Sequence, residues 1–383
     1  MKISEKYNFN IRTITPVHIG SGEEYLVSEL IKVKSKYNRI NLLKYFKSLD
    51  NEEKQNKFIE DLCENKAVFD KVREDCIRYS FTLNGSDDFN EDNKINENIK
   101  VFNESYIPGS SIKGAIRTAL LYKYFNDADI NKVVVNGEIN KSLVNSYFQL
   151  DDDAKKDILK FLKISDSSTT ENLKVYKASR ARPRYSLDKK KNSKDKSGPK
   201  PNFKKGIPIY LESISLTKDL LSFSITMNYD EKTYDLLNFD DKKIEMLKMD
   251  KILKAIHDFS NDLIEHEIKF CEKYNLPKLK KFYGNLKNKN DEKSPVLKIG
   301  YGSGLLATSL ALKVKNSNSN LYNDIKKIIL EDLEKENNKS DEKKDKKISK
   351  DDFPISRIII DKNKNEDISM GWIKLELCDD DEV

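Results

Sequence analysis

The chain has 383 residues, 35% of them charged and 37% hydrophobic, enough for two or three domains, or one large domain with insertions, under an unusually ionic surface. The 70 basic and 64 acidic residues leave a net charge of only +6. This excludes a histone-like polycation and confines any nucleic-acid contact to local basic patches. Cys63, Cys76, Cys271 and Cys378 are scattered and form no CxxC pair, so disulfide and zinc frameworks are not expected and a reducing cytoplasm fits. The polar start MKISEKYNFNIRTITP lacks the apolar core of a signal peptide, and no run approaches the roughly 18 apolar residues of a membrane span.

Taken in chain order, residues 6–19 alternate and predict a strand ending near Pro16. The glycine turn HIGSGEEY (18–25) leads to expected strands over 25–34 and 37–43. Helical spacing of Phe58, Ile59 and Leu62 predicts a helix over 51–66, and the polar stretch 84–100 reads as a loop. In YIPGSSIKGAIRTALL (106–121), Ile112, Ala115, Ile116, Ala119 and Leu120 mark one face of a helix starting near Ser110 or Ser111. Another helix is expected over 152–163, and a lysine-rich, Pro/Gly/Ser-bearing basic loop over 177–206. Paired strands follow at 207–215 and 220–229, then a long helix at roughly 241–274. KIGYGSGLLATSLALKV (298–314) is a glycine turn into a helix, 331–352 reads as a solvated insertion, and 353–361 with 371–377 form a closing strand pair. Short strands interleaved with helices give an α+β class, with split β-α-β units as one solution.

Four constellations carry candidate chemistry. The first is the helix start, where free N–H groups and partial positive charge attract anions. Gly109, Ser110 and Ser111 with Lys113 and Arg117 one turn apart suit a phosphate. An ordinary capped helix with solvated cations explains them too. The second is HIGSG, with Gly20, Ser21 and Gly22 in a tight turn after His18. A histidine there either packs or serves as a general acid or base. The third is GYGSG, whose Gly302, Ser303 and Gly304 form no nucleotide cradle but let backbone pass close to a partner. The fourth is SRARPRYS (179–186), in which Arg180, Arg182 and Arg184 alternate beside Tyr185 and lead to Lys189–Lys191. Arginine forks match phosphate and tyrosine stacks on bases. A solvated charge run is the plainer account. On the long helix, His257, Asp258, Asp262 and His266 form no recognised metal signature, so no metal and no cofactor are expected.

PVHIGSG, IPGSSIKGxxR and the late GYGSG turn resemble the RAMP superfamily of CRISPR RNA-binding proteins. The closing FPISRIIID and GWIKLEL resemble the tail of the Csm-type subunit that caps a type III-A effector filament at the 3′ end of its guide RNA. The resemblance implies two ferredoxin-like, RRM-related modules with helical and disordered insertions. These would be an N-terminal module over 1–176, a basic loop or linker over 177–206, and a C-terminal module over 207–383 with its insertion at about 331–352. It implies single-stranded guide RNA (crRNA) as ligand. The implied protein partners are the repeated backbone subunit, the small subunit and host RNA-trimming nucleases, with no membrane. The motif residues above would line the RNA path, with no catalytic residue. The aspartate motif with which the family's target-cutting backbone subunit cleaves RNA is absent here, since EEYLVSELIKV follows HIGSG. The alternative is a metal-independent, guide-processing endoribonuclease in which His18 is the acid or base.

Overall fold

The N-terminal alternation makes one long strand, β1 (Lys2–Thr13), which leaves its sheet before Pro16, a residue with no N–H to give a ladder. The computed structural model describes residues 2–64, 69, 71–85, 89–90, 93–150, 153–184, 202–215, 220–230, 241–337, 353–363 and 366–378. The expected strand over 25–34 is instead β2 (Gly20–Leu26), a 3-10 turn at Val27–Glu29 and β3 (Leu30–Val33). The break lies where the Glu29 carboxylate accepts the Leu26 amide at 3.0 Å and pairs with Arg39 at 2.5 Å. β4 (Lys36–Ile40) precedes α1 (Leu42–Ser48) and α2 (Glu52–Cys63), whose starts are capped by Asn41 and Asn51.

Two further strands appear. β5 (Ile77–Asn84) alternates Ile77, Tyr79, Phe81 and Leu83 and lies outside the expected elements, and β6 (Lys94–Asn98) falls inside the expected 84–100 loop. The asparagines of β6 are satisfied internally: Asn96 donates to the Tyr210 carbonyl at 3.2 Å, and Asn98 accepts the Ile19 amide at 2.8 Å. α3 (Gly109–Tyr124) stands as expected, with Ile112, Ile116, Ala119 and Leu120 buried. The helix expected over 152–163 is absent. Asp153–Asp157 is a strand, Ile158–Phe161 a 3-10 turn and β7 (Leu162–Ile164) a second strand. Asp157 caps that turn through the Leu159 amide at 2.7 Å.

The basic loop is also corrected. Both of its ends are strand, β8 (Leu173–Arg184) and β9 (Asn202–Ile214), paired antiparallel. β10 (Leu221–Asp230) follows, and instead of pairing with β9 as expected it pairs with β1 and β7 in a different sheet. The long helix is interrupted at Met246–Lys248, between a short turn at Asp241–Glu245 and α4 (Met249–Lys273). α5 (Pro277–Lys287), β11 (Val296–Lys298), short helices at Leu305–Thr308 and Ala311–Ser317, and α6 (Ser319–Asn337) continue the chain. Residues 331–337 are thus helical, and the rest of the expected insertion, to 352, lies outside the described residues. β12 (Arg357–Asn363), β13 (Glu366–Ser369) and β14 (Trp372–Leu377) close the fold, but β12 pairs with β13 and β8 whereas β14 pairs with β1 and β11, so the expected closing pair is split between two sheets.

One sheet has the antiparallel order β7-β10-β1-β14-β11. Its Phe9, Phe223, Trp372 and Ile373 share a core with Ile112 and Ile116 of α3 and with Ile256 and Phe259 of α4. Burying each such side chain stabilises by about 1.5–3 kcal/mol. The second sheet runs β2-β6-β9-β8-β5-β4-β3, with β12 beside β8 and β13 beside β12. The division at 176 and 207 does not follow these sheets. β1 pairs with β10 and β14, and β6 with β9, so each sheet draws strands from both halves of the chain.

Candidate nucleic-acid interface

Residues 14–22 run from the first sheet into the second. The Pro16 carbonyl accepts the Gly371 amide at 2.9 Å, and Val17 exchanges two bonds with Ile214 at 3.1 and 2.9 Å. The His18 carbonyl accepts Tyr301 N–H at 2.8 Å, and Ile19 accepts Ile99 N–H at 2.8 Å. The HIGSG and GYGSG turns, far apart in sequence, are therefore neighbours. Their approach needs glycine: a Cβ on Gly300, at φ +69°, would lie 2.4 Å from the His18 carbonyl oxygen. The Ser303 hydroxyl donates to the Gly300 carbonyl at 2.7 Å, Gly302 lies against Ile358, and Gly304 opens the helix at Leu305.

His18 is only 3% exposed. Its Nδ1 lies 2.5 Å from the Glu212 carbonyl, the ring stands edge-on to Tyr301, and burial lowers its pKa. The Glu212 carboxylate, fully buried, accepts the Tyr25 and Tyr79 hydroxyls at 2.5 and 2.8 Å, the Asn98 amide at 3.1 Å and the Lys100 ammonium. Burial beside this carboxylate pushes both phenols up. The histidine singled out in the sequence thus packs over a closed polar hub. Gly20 lies beside the His18 ring, while Ser21 and Gly22 reach the surface, where the Ser21 hydroxyl donates to the Glu97 carbonyl at 3.3 Å.

The start of α3 is occupied by the chain itself. The Gly109 amide donates to Asp166 Oδ1 at 2.8 Å, and a Cβ there would lie 2.4 Å from the Ile164 carbonyl oxygen. Lys113 donates to the Leu159 and Leu162 carbonyls at 2.8 and 2.9 Å. Arg117 donates to the Asn145 carbonyl at 3.2 Å and lies over the Phe148 ring. Desolvation lowers the pKa of both cations. Ser110 is exposed and Ser111 half-buried, but neither hydroxyl caps the helix. The cations of the expected phosphate seat are thus turned onto the 145–162 segment.

The arginines of SRARPRYS sit on β8. Arg180 and Arg182 are exposed and alternate with buried Ala181 and Pro183. Arg182 stands directly opposite Lys204 of β9, also exposed. Like charges facing each other across a ladder repel unless an anion lies between them. Among the described residues no carboxylate comes within ion-pair distance of Arg180, Arg182 or Lys204. The adjacent Lys205, by contrast, is neutralised by Asp361 and Asp367. Arg184 is the last residue of β8, and Tyr185 and Lys189–Lys191 lie outside the described residues. Lys204 and the cross-strand register are invisible when 177–206 is taken for a loop. Sequence reading also passes over Phe102, which is 96% exposed at a hairpin tip.

Of the acidic and histidine residues on α4, Asp262 accepts the Tyr122 hydroxyl and His266 faces Lys315 at 3.4 Å. His257, Asp258 and Glu292 bring ligand-type atoms within 4.8 Å of one another. Lys123 and Lys254 already pair with the two carboxylates, each at 2.6 Å. Among the described residues no helix is long and apolar enough to cross a membrane.

The architecture is α+β, built from two ferredoxin-like modules that are interleaved in sequence and joined along the HIG segment. The chain belongs to the RAMP superfamily, whose profile matches residues 10–368. It is 28% identical over 400 residues to the CRISPR system Cms protein Csm5 of Methanocaldococcus jannaschii, covering 96% of this chain and 88% of that protein. It is 28% identical over 248 residues to the protein of that name from Streptococcus thermophilus, covering 59% and 65%. The fold is similar to a chain of the Csm–crRNA–target RNA ternary complex of a type III-A CRISPR–Cas system. That match has a TM-score of 0.62 at 22% identity, over 98% of this chain and 100% of the other. The crystal structure of T. onnurineus Csm5 is similar with a TM-score of 0.56 at 18% identity, over 95% and 99%.

Proposed function

We propose that this chain is a non-catalytic RNA-binding RAMP subunit of a type III-A CRISPR (Csm) effector complex. It holds the 3′ region of the crRNA, caps the backbone filament and supports 3′-end maturation of the guide in antiviral defence. Its protein partners are the backbone RAMP subunit and the small subunit, with host nucleases trimming the guide, in the cytoplasm. The relatives' names, and the match of the Methanocaldococcus jannaschii relative over 96% of this chain, support the assembly. The observation that carries RNA binding is the exposed ladder of Arg180, Arg182 and Lys204, three cations on one sheet face with no carboxylate among the described residues to neutralise them. Arg184, Tyr185 and Lys189–Lys191 prolong that basic run. Ser21, Gly22 and Ser110 offer exposed polar groups where a backbone can approach. Lys113 and Arg117 shape the surface from beneath.

Binding through phosphate is sequence-tolerant and salt-dependent. The full-length protein is titrated with guide-like single-stranded RNA at several salt concentrations, beside an Arg180→Ala/Arg182→Ala/Lys204→Ala variant. The log-affinity slope is expected to shrink by roughly 0.7 for each phosphate that the variant no longer neutralises. A wild-type slope near zero overturns the reading. The non-catalytic part rests on the buried, hydrogen-bonded His18 ring. RNA shortened in EDTA by the wild type but not by His18→Ala would make the protein an endoribonuclease.

A further inference from the structure

We propose that the hairpin tip at Phe102, with the cleft beside it, is a subsite that takes one unstacked base of the bound RNA. The proposal rests on the RNA-binding reading above. Lys100 pairs with Ser105 and Val101 with Glu104, leaving Phe102 and Asn103 as the two central residues of the turn. Both have positive φ, +49° and +71°. Asparagine tolerates that region readily, whereas a bulky aromatic is strained in it. A single exposed apolar residue needs no explanation, but a strained, almost fully exposed phenylalanine on a rigid mount does.

The mount is rigid at both feet. Lys100 is tied to buried Glu212, and Ser105 exchanges two backbone bonds with Thr170 at 2.9 and 2.8 Å. Beside the tip lies a cavity of about 530 Å³ whose lining includes Ser21, Glu23, Arg78, Glu97, Phe102 and Asn103. Arg78 Nε donates to Asn103 Oδ1 at 3.3 Å, fixing the wall against the turn. Glu97 is balanced by Lys100 at 3.3 Å and Arg78 at 3.8 Å. Glu23 has no ion-pair partner among the described residues. The lining cations Arg39, Arg78 and Lys100 are already engaged by Glu29, Glu97 and Glu212, so phosphate would meet the Glu23 carboxylate, and the uncharged end of a nucleotide fits better. Carboxylates accept from the amino groups of adenine, cytosine and guanine, and the Phe102 ring offers a stacking face.

The test uses full-length protein and single-stranded RNAs carrying 2-aminopurine at successive positions, with Phe102→Gly and Phe102→Trp as variants. Glycine adopts the +49° backbone without strain, so Phe102→Gly should keep or raise the melting temperature while weakening RNA binding about 10-fold. Phe102→Trp should keep the affinity. A position-specific 2-aminopurine response should appear with wild type and vanish with Phe102→Gly. RNA binding that is indifferent to Phe102→Gly overturns the subsite and leaves the RNA-binding reading standing. No RNA binding by the wild type overturns both. A lower melting temperature in Phe102→Gly with unchanged affinity makes Phe102 a folding residue and also overturns the subsite.

Discussion

The HIGSG–GYGSG seam and the arginines of the β8–β9 ladder are both prominent in the sequence, but they use their residues in opposite ways. In the seam the charged and ring-bearing groups are turned inward, while Ser21 and Gly22 reach the surface. His18 meets Glu212, Gly300 clears the His18 carbonyl, and Lys100 neutralises a carboxylate with no exposed surface. On the ladder Arg180, Arg182 and Lys204 are exposed and unbalanced among the described residues. A glycine-marked motif can therefore record how two sheets are joined, while the RNA binding proposed above rests on cations whose register only the fold reveals. The ladder should tolerate substitution and lose RNA, whereas the seam should lose stability first.

The largest expected effect is at the hub. Lys100→Met leaves Glu212 buried without its cation, and breaking such a pair costs about 3–5 kcal/mol. Urea unfolding of Lys100→Met should show that loss, and a variant as stable as wild type would mean that the phenols and the Asn98 amide suffice for Glu212. Next is Gly300→Ala, which adds a Cβ 2.4 Å from the His18 carbonyl at φ +69°. A loss of roughly 3 kcal/mol is expected from strain and overpacking together. An unchanged midpoint would show that the two turns can separate freely. Smaller again is Lys113→Met, which removes the donor to the Leu159 and Leu162 carbonyls. Stability should fall by about 1–2 kcal/mol, with RNA affinity changed less than about 2-fold at matched folded fraction, as expected of a cation already satisfied. A large drop in affinity in a stable Lys113→Met protein would restore the phosphate seat on α3.

Much of this was legible because period and motif acted locally. The face of α3 and the helix expected over 51–66, which stands as α2, each follow from spacing within one segment. β6 was not legible, because its Asn96 and Asn98 are polar for reasons set by Tyr210 and Ile19, distant in sequence. The 152–163 segment misled because Ile158, Leu159 and Phe161 carry helical spacing yet are buried in a 3-10 turn that Asp157 caps. In the candidate site, residue types and spacing placed side chains on their elements but did not give their directions. Lys113 and Arg117 lie one turn apart on a helix, as their spacing predicts, and the 145–162 segment that engages them could not be placed from sequence.

The weakest expected effect tests the seam by pH. Burial lowers the His18 pKa below its ordinary 6.5, with Lys100 lowering it further and Glu212 opposing. The folded protein therefore resists a proton that the unfolded chain accepts. Stability contributed by the neutral ring is present above pH 6.5 and is lost as pH falls from there toward the folded pKa. The slope approaches about 1.4 kcal/mol per pH unit at most for one proton. Urea midpoints of wild type and His18→Gln at about pH 7.5, 6.5 and 5.5 isolate it, since the two proteins differ in that side chain alone. The wild type should lose more stability on acidification than His18→Gln. Parallel losses would mean that the ring is protonated as easily folded as unfolded, and the seam would then be open enough for His18 to meet solvent and RNA.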